Sequence, residues 1–147
     1  MNKIALFLAV MTLPSVAAGY SQTNDNDELS AIKNAAMDYV EGWYQGDAER
    51  MAKSLHPDLV KRTVRELSKT GQPLLNHISK TTLVEYTRAG GGKDTPKDKL
   101  FYEVIVLDVY KGIATVKGVS ANYVDYLHLA KWNGQWMIVN ILWDKKK

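Results

Sequence analysis

The stretch Leu100–Asp144, LFYEVIVLDVYKGIATVKGVSANYVDYLHLAKWNGQWMIVNILWD, decides the fold. Lys111-Gly112 and Asn133-Gly134 interrupt it, and Asn-Gly between apolar runs is the strongest short-range hairpin signal. The segments LFYEVIVLDVY, IATVKGVSANYVDYLHLAKW and QWMIVNILWD are rich in Val, Ile, Tyr and Trp, which fit a pleated, half-buried surface. They predict three or four long antiparallel strands. Period-two alternation gives each strand two faces. In the first, Leu100, Tyr102, Val104, Val106 and Asp108 oppose Phe101, Glu103, Ile105, Leu107 and Val109. In the last, Trp136, Ile138, Asn140 and Leu142 oppose Met137, Val139, Ile141 and Trp143. Both faces are apolar. Upstream helices cover one of them, and the other is an apolar patch of the kind that marks an interface, which predicts a homodimer through the outer sheet face.

Working outward toward the N-terminus, Leu29, Ile32, Ala36, Tyr39 (or Val40) and Trp43 recur at spacings of three and four. This predicts an amphipathic helix starting near Asn26 or Asp27 and ending at Gly46. Asp47 caps a second, short helix carrying Met51, Ala52 and Leu55, which His56-Pro57 ends because the residue before proline leaves the helical region. Leu59–Val64 alternates weakly, and Lys69-Thr70-Gly71-Gln72-Pro73 is a turn, so Leu59–His77 reads as a small hairpin. Ser79 or Thr81 caps a third helix that buries Leu83, Val84 and Tyr86 and stops at Ala89, before Gly90-Gly91-Gly92.

The chain has 147 residues, one domain's worth. It opens with Met1-Asn2-Lys3, the apolar run Ile4–Leu13 and the small-residue site Pro14-Ser15-Val16-Ala17-Ala18. That order describes a secretory signal peptide over residues 1–18, cleaved after Ala18. The run is shorter than the roughly 20 apolar residues of a membrane span. A polar leader, residues 19–27, then precedes a single domain, residues 28–147. The expected protein is exported, periplasmic or secreted, with no membrane attachment after cleavage. No cysteine is present, which excludes a disulfide framework, a thiol nucleophile and a Cys-ligated metal. The net charge of +3 falls to +2 once Lys3 is removed, and much of the excess lies in Lys145-Lys146-Lys147 and the Lys93–Lys99 loop. No basic stripe is interleaved with stacking aromatics, so nucleic acid is not an expected partner.

Helices, a short strand pair, a further helix and a long curved antiparallel sheet form an α+β cone, and in this the chain resembles the nuclear transport factor 2-like superfamily. Within it, the segments LHPDLVKRTV (Leu55–Val64), LVEYTRAGGGKDTP (Leu83–Pro96), LDVYKGIATVK (Leu107–Lys117) and YVDYLHLAKWNGQWMIVNILW (Tyr123–Trp143) are similar to the small bacterial family of putative lumazine-binding proteins. The resemblance covers nearly all of the mature chain. It implies three helices packed on a strongly curved sheet, with a cavity between them. It carries over no activity and no catalytic set, because isomerases, dehydratases, cyclases and interaction modules share the fold.

Such a cavity is an ordinary place for a small-molecule site. The run Asn122-Tyr123-Val124-Asp125-Tyr126-Leu127-His128 is the densest polar and aromatic cluster. Alternation sets Asn122, Val124, Tyr126 and His128 on one face and Tyr123, Asp125, Leu127 and Leu129 on the other. Tyr126 and His128 are expected on the cavity wall with Asn140 from the neighbouring strand, where hydroxyl, imidazole and amide would read a polar heteroaromatic ligand. The alternative reading of the cluster is a polar edge or dimer interface. Asp125 serves as a general base only if a bulge turns it inward. His56 either points into the cone mouth or caps the second helix. Tyr39, Trp43 and Tyr86 either form a stacking wall for a flat ligand or are plain core. His77 is expected in a loop and is the weakest candidate of the three histidines. These histidines come from separate elements without HxH or HExxH spacing, so neither a metal nor a cofactor is expected.

Three function classes follow. The first is an exported dimer that binds a small molecule, a flat heteroaromatic one among the candidates, through Tyr39, Trp43, His56, Tyr86, Asn122, Tyr126, His128 and Asn140. The second is an isomerase, dehydratase or cyclase using Asp125 or His128 as acid–base group. The third is a protein-interaction module.

Overall fold

The computed structural model describes residues 25–147; the signal peptide expected over residues 1–18 lies outside them. Helices α1 (Asp25–Gln45) and α2 (Ala48–Ser54) lead into a hairpin, β1 (Leu55–Glu66) and β2 (Pro73–Ser79). Helix α3 (Lys80–Arg88) and a 3-10 turn at Lys97–Lys99 precede β3 (Tyr102–Tyr110), β4 (Ile113–Ser120), β5 (Tyr123–Trp132) and β6 (Gln135–Lys145). The six strands form one sheet in the order β2-β1-β6-β5-β4-β3. The architecture is α+β, with three helices on one face of the sheet. The C-terminal stretch resolves into four strands, because Ala121-Asn122 breaks the long middle segment into β4 and β5. The pairings are antiparallel except for β1 beside β6, which is parallel and makes the sheet mixed.

Local chemistry sets the ends of these elements. Asp47 caps α2 by accepting from the Arg50 amide at 3.0 Å, and Ser79 caps α3 by accepting from the Thr82 amide at 3.2 Å. Such caps are worth about 1 kcal/mol each. Leu55, expected on the second helix, already belongs to β1, so α2 ends two residues before His56-Pro57. The Asn133-Gly134 turn has φ of 49° and 81°, the doubly positive pattern of a tight hairpin. Gly91 and Gly92 do more than stop α3: a Cβ on Gly91 would lie 2.5 Å from the Trp43 carbonyl oxygen, and one on Gly92 2.7 Å from Trp43 Nε1. The glycine loop closes on Trp43, and the Gly92 amide donates to the Trp43 carbonyl at 2.9 Å.

The core lies between α1 and the concave sheet face. Ile32, Ala36, Tyr39 and Val40 of α1 meet Leu59, Val116, Leu127, Leu129, Ile138 and Ile141, all buried. Besides a register shift in the parallel β1–β6 pairing between Leu55 and Val60, two bulges set which residues of β3 and β6 face inward. One between Val106 and Asp108 leaves Leu107 unpaired in β3; the other leaves Val139 unpaired in β6, opposite His128 and Leu129. A simple alternation therefore fails in β6. Trp136 and Ile138 face the core, but after the bulge Ile141 takes over and Leu142 is exposed. Tyr86, expected to be buried with Leu83 and Val84, is half exposed; Thr87 is buried in that row instead.

Candidate functional site

The concave face holds a charged cluster inside an apolar enclosure. Alternation along β1 puts Leu59, Lys61 and Thr63 on the face that α1 covers, so Lys61 is 7% exposed between two fully buried neighbours. The same rule on β5 turns Asp125 inward beside Leu127, and Asp125 is 4% exposed. Lys61 Nζ donates to Asp125 Oδ1 at 2.9 Å and to Tyr39 Oη at 2.5 Å. The Tyr39 hydroxyl in turn donates to Asp125 Oδ1 at 2.8 Å. An isolated ammonium or carboxylate here would cost several kcal/mol, so the cluster persists because each charge meets its opposite and a hydroxyl. Both bonds fall on Oδ1, and Oδ2 takes neither.

Burial outweighs the ion pair at Lys61 and lowers the pKa of its amine from the ordinary lysine value, with Asp125 pulling the other way. Burial, then the Asp125 charge, raises the Tyr39 hydroxyl well above its usual value of 10.0. Tyr39 is therefore a neutral donor throughout the physiological range. Lys61 Nζ also stands 4.6 Å from the Trp143 ring centroid and 5.2 Å from that of Tyr39, within cation–π range.

Above this floor opens a cavity of about 370 Å3. Its aromatic wall is a chain of edge-to-face contacts. Trp43 meets Tyr123 at 6.3 Å and Tyr123 meets Trp143 at 5.2 Å between centroids. Tyr44 donates to Ser120 Oγ at 3.0 Å and receives the Asn122 amide at 3.2 Å, which pins the end of the β4–β5 hairpin to α1. Tyr86 of α3 completes the lining, and the exposed residues Arg65, Asn76, His77 and Lys145 ring the open end. Among the described residues no group of three or more His, Asp or Glu is arranged to hold a metal ion.

The model of the family described as "Putative lumazine-binding" matches residues 27–144. The chain belongs to the putative lumazine-binding family. Solved structures similar to it include an NTF2-like protein of unknown function from Silicibacter pomeroyi, with a TM-score of 0.66 and 17% identity over 84% of this chain and 99% of that one. An NTF2-like protein of unknown function from Methylobacillus flagellatus gives 0.66 and 17%, over 85% and 97%. A ketosteroid isomerase-like protein from Erwinia carotovora atroseptica gives 0.59 and 19%, over 83% and 98%. At these identities the likeness concerns the fold, which is NTF2-like. No curated protein matches the chain.

Within this member of the putative lumazine-binding family, Tyr39, Trp43, Tyr86 and Asp125 line the cavity, and so does His77, which stands on β2 and not in the expected loop. Tyr126, His128 and Asn140 do not. They lie together on the opposite, outer face, where Asn140 faces His128 Nδ1 at 3.4 Å and accepts from Arg62 at 2.5 Å. The apolar members of β5, Leu127 and Leu129, claim the helix-covered face and carry Asp125 with them, so Asp125 turns inward without any bulge in β5 next to it. Asn122 sits in the hairpin turn, bonded to Thr95 at 3.2 Å. His56 is no helix cap and lies outside the cavity lining: its Nδ1 accepts the Asp58 amide at 3.1 Å and its ring meets Trp132 edge-on at 4.9 Å. Lys61, Tyr44, Arg65, Ser120, Tyr123 and Trp143 were not among the candidates. For Lys61 a signal exists in the sequence, since it stands two residues from both Leu59 and Thr63.

Proposed function

We propose that the protein holds a small molecule in the cone cavity. The observation that carries this reading is a cavity of about 370 Å3 with an aromatic wall and a buried Lys61–Asp125–Tyr39 cluster at its floor. Ligand pockets of about 300–1,000 Å3 combine apolar walls with a few fixed polar groups in the same way. Edge-to-face aromatics present flat surfaces, which favours a planar ligand, and the family description is consistent with a flat heteroaromatic one. The test is native mass spectrometry of the protein purified from the cells that make it. A reproducible small-molecule adduct, lost on Tyr86→Ala, is the expected result. A chain with no adduct that also fails to bind any planar compound in a solution screen overturns the reading.

A second reading, an isomerase, dehydratase or cyclase, keeps one support: Asp125 faces the cavity. His128, on the outer face, gives it none. Asp125 Oδ1 is already engaged twice, so only Oδ2 remains to meet a substrate proton. That favours a binding role for the floor over a general base. Turnover that Asp125→Asn abolishes without loss of ligand affinity would reverse the preference.

The outer sheet face bears exposed Ile105, Leu107, Tyr126 and Leu142. This supports a homodimer through that face. Sedimentation velocity checks it: a dimer converted to monomer by Tyr126→Glu is expected, and a monomer at all concentrations contradicts it. Export to the periplasm or medium is part of the same proposal, supported by the pattern of residues 1–18. The mass of the mature chain, beginning at Gly19, checks it.

A further inference from the structure

The charge of the cavity's occupant follows from the groups around its open end. This inference rests on the cavity being a small-molecule site. The lining carries three cationic side chains, Lys61, Arg65 and Lys145, against one acidic one, Asp125. Lys61 and Asp125 satisfy each other at the floor. Arg65 and Lys145 remain, at the ends of the adjacent parallel strands β1 and β6. Among the described residues, neither makes an ion pair. The neighbouring acids Glu66 and Asp144 occupy the alternate strand positions and are not part of the lining.

Arg65 is also held against the wall. Its guanidinium carbon lies 5.1 Å from the centroid of the Trp143 ring, the ring that Lys61 approaches from the floor at 4.6 Å. A stacked guanidinium keeps its edge donors available, and those donors match the two oxygens of a carboxylate or other acidic group. The cavity thus grades from a neutralised floor, through an aromatic wall, to an unpaired cationic rim. We propose that it selects anions: a planar, apolar body lodged against Trp43, Tyr86 and Trp143, with one acidic group at the rim between Arg65 and Lys145. A neutral analogue of the same shape forfeits the rim contacts, and a cationic one is repelled there.

A matched pair of fluorescent probes tests this. 1-Anilinonaphthalene-8-sulfonate and N-phenyl-1-naphthylamine share one aromatic skeleton and differ by the sulfonate. The purified protein should bind the sulfonate more tightly. The double substitution Arg65→Gln with Lys145→Gln should weaken the sulfonate by about tenfold, the loss expected when two modest charge contacts at an exposed rim are removed together. It should leave the neutral probe within about twofold, and raised salt should weaken only the sulfonate. Tyr86→Ala should weaken both, which fixes both in the cavity. Equal affinity for the two probes, or a sulfonate preference that survives the double substitution, overturns the anion assignment and leaves small-molecule binding intact. Binding of neither probe, or binding indifferent to Tyr86→Ala, overturns the inference together with the cavity reading beneath it.

Discussion

The two faces of β5 carry similar chemistry and fare differently. Inward stand Tyr123, Asp125 and Leu127; outward stand Val124, Tyr126 and His128. Each face offers a tyrosine and a titratable group. Inside, Asp125 is locked to Lys61 and Tyr39 under α1, in a medium where an unmatched charge costs several kcal/mol. Outside, Tyr126 is 45% exposed and His128 makes a long contact with Asn140 at 3.4 Å. A polar cluster is therefore not a site because its residues are rich in chemistry. It becomes a candidate when the helices enclose it.

Substitutions that treat the two faces differently probe this contrast. Lys61→Met leaves Asp125 buried without its cation and should cost about 3–5 kcal/mol in denaturant unfolding, the usual penalty for breaking a buried pair from one side. Lys61→Met combined with Asp125→Leu should recover most of that loss, because apolar residues of similar volume replace buried pairs at little cost. If the single and double variants were equally destabilised, the ion pair would not be what holds the floor.

Tyr39→Phe should cost about 1–2 kcal/mol at neutral pH, since it removes one donor to Asp125 and one acceptor from Lys61. It also has a pH signature. The folded pKa of Tyr39 is raised above the unfolded value, so its contribution is fully present below pH 10 and is lost as pH rises beyond it. The stability difference between wild type and Tyr39→Phe should therefore shrink above pH 10. Lys61 has the opposite sign, its lowered pKa making stability rise with pH toward the unfolded lysine value. To first order that contribution cancels in the difference.

The smallest effect is expected outside. His128→Ala, measured in dilute protein, should change stability by less than about 0.5 kcal/mol, as exposed substitutions generally do. A loss near 2 kcal/mol would mean that the outer cluster carries structural weight and would blunt the contrast between the faces.

Much of the fold was legible in the sequence. The spacing of Leu29, Ile32, Ala36, Tyr39 and Trp43 marks α1, and Asn133-Gly134 marks the last hairpin, because both signals are local. The lining of the candidate cavity was half legible. Tyr39, Trp43 and Tyr86 reached the cavity, but alternation only divides a strand into two faces and does not say which one the helices cover. Choosing the face of Tyr126 and His128 placed that pair on the wrong side. A single unpaired residue at Val139 then reversed the facing in β6, turning Trp143 inward and Asn140 away. Lys61 was missed because lysine in a weakly alternating strand reads as solvated. Its partner stands 64 residues later, on a strand reached only through the tertiary fold.

The inward face is tested most directly by mapping amide and indole N–H shifts in 1H–15N spectra during titration with 1-anilinonaphthalene-8-sulfonate. Shifts concentrated at Tyr123, Asp125 and the Trp43 and Trp143 indoles, with Tyr126 and His128 unmoved, are the expected result. Shifts confined to Tyr126, His128 and Asn140 would put the site on the open side of the sheet and contradict it.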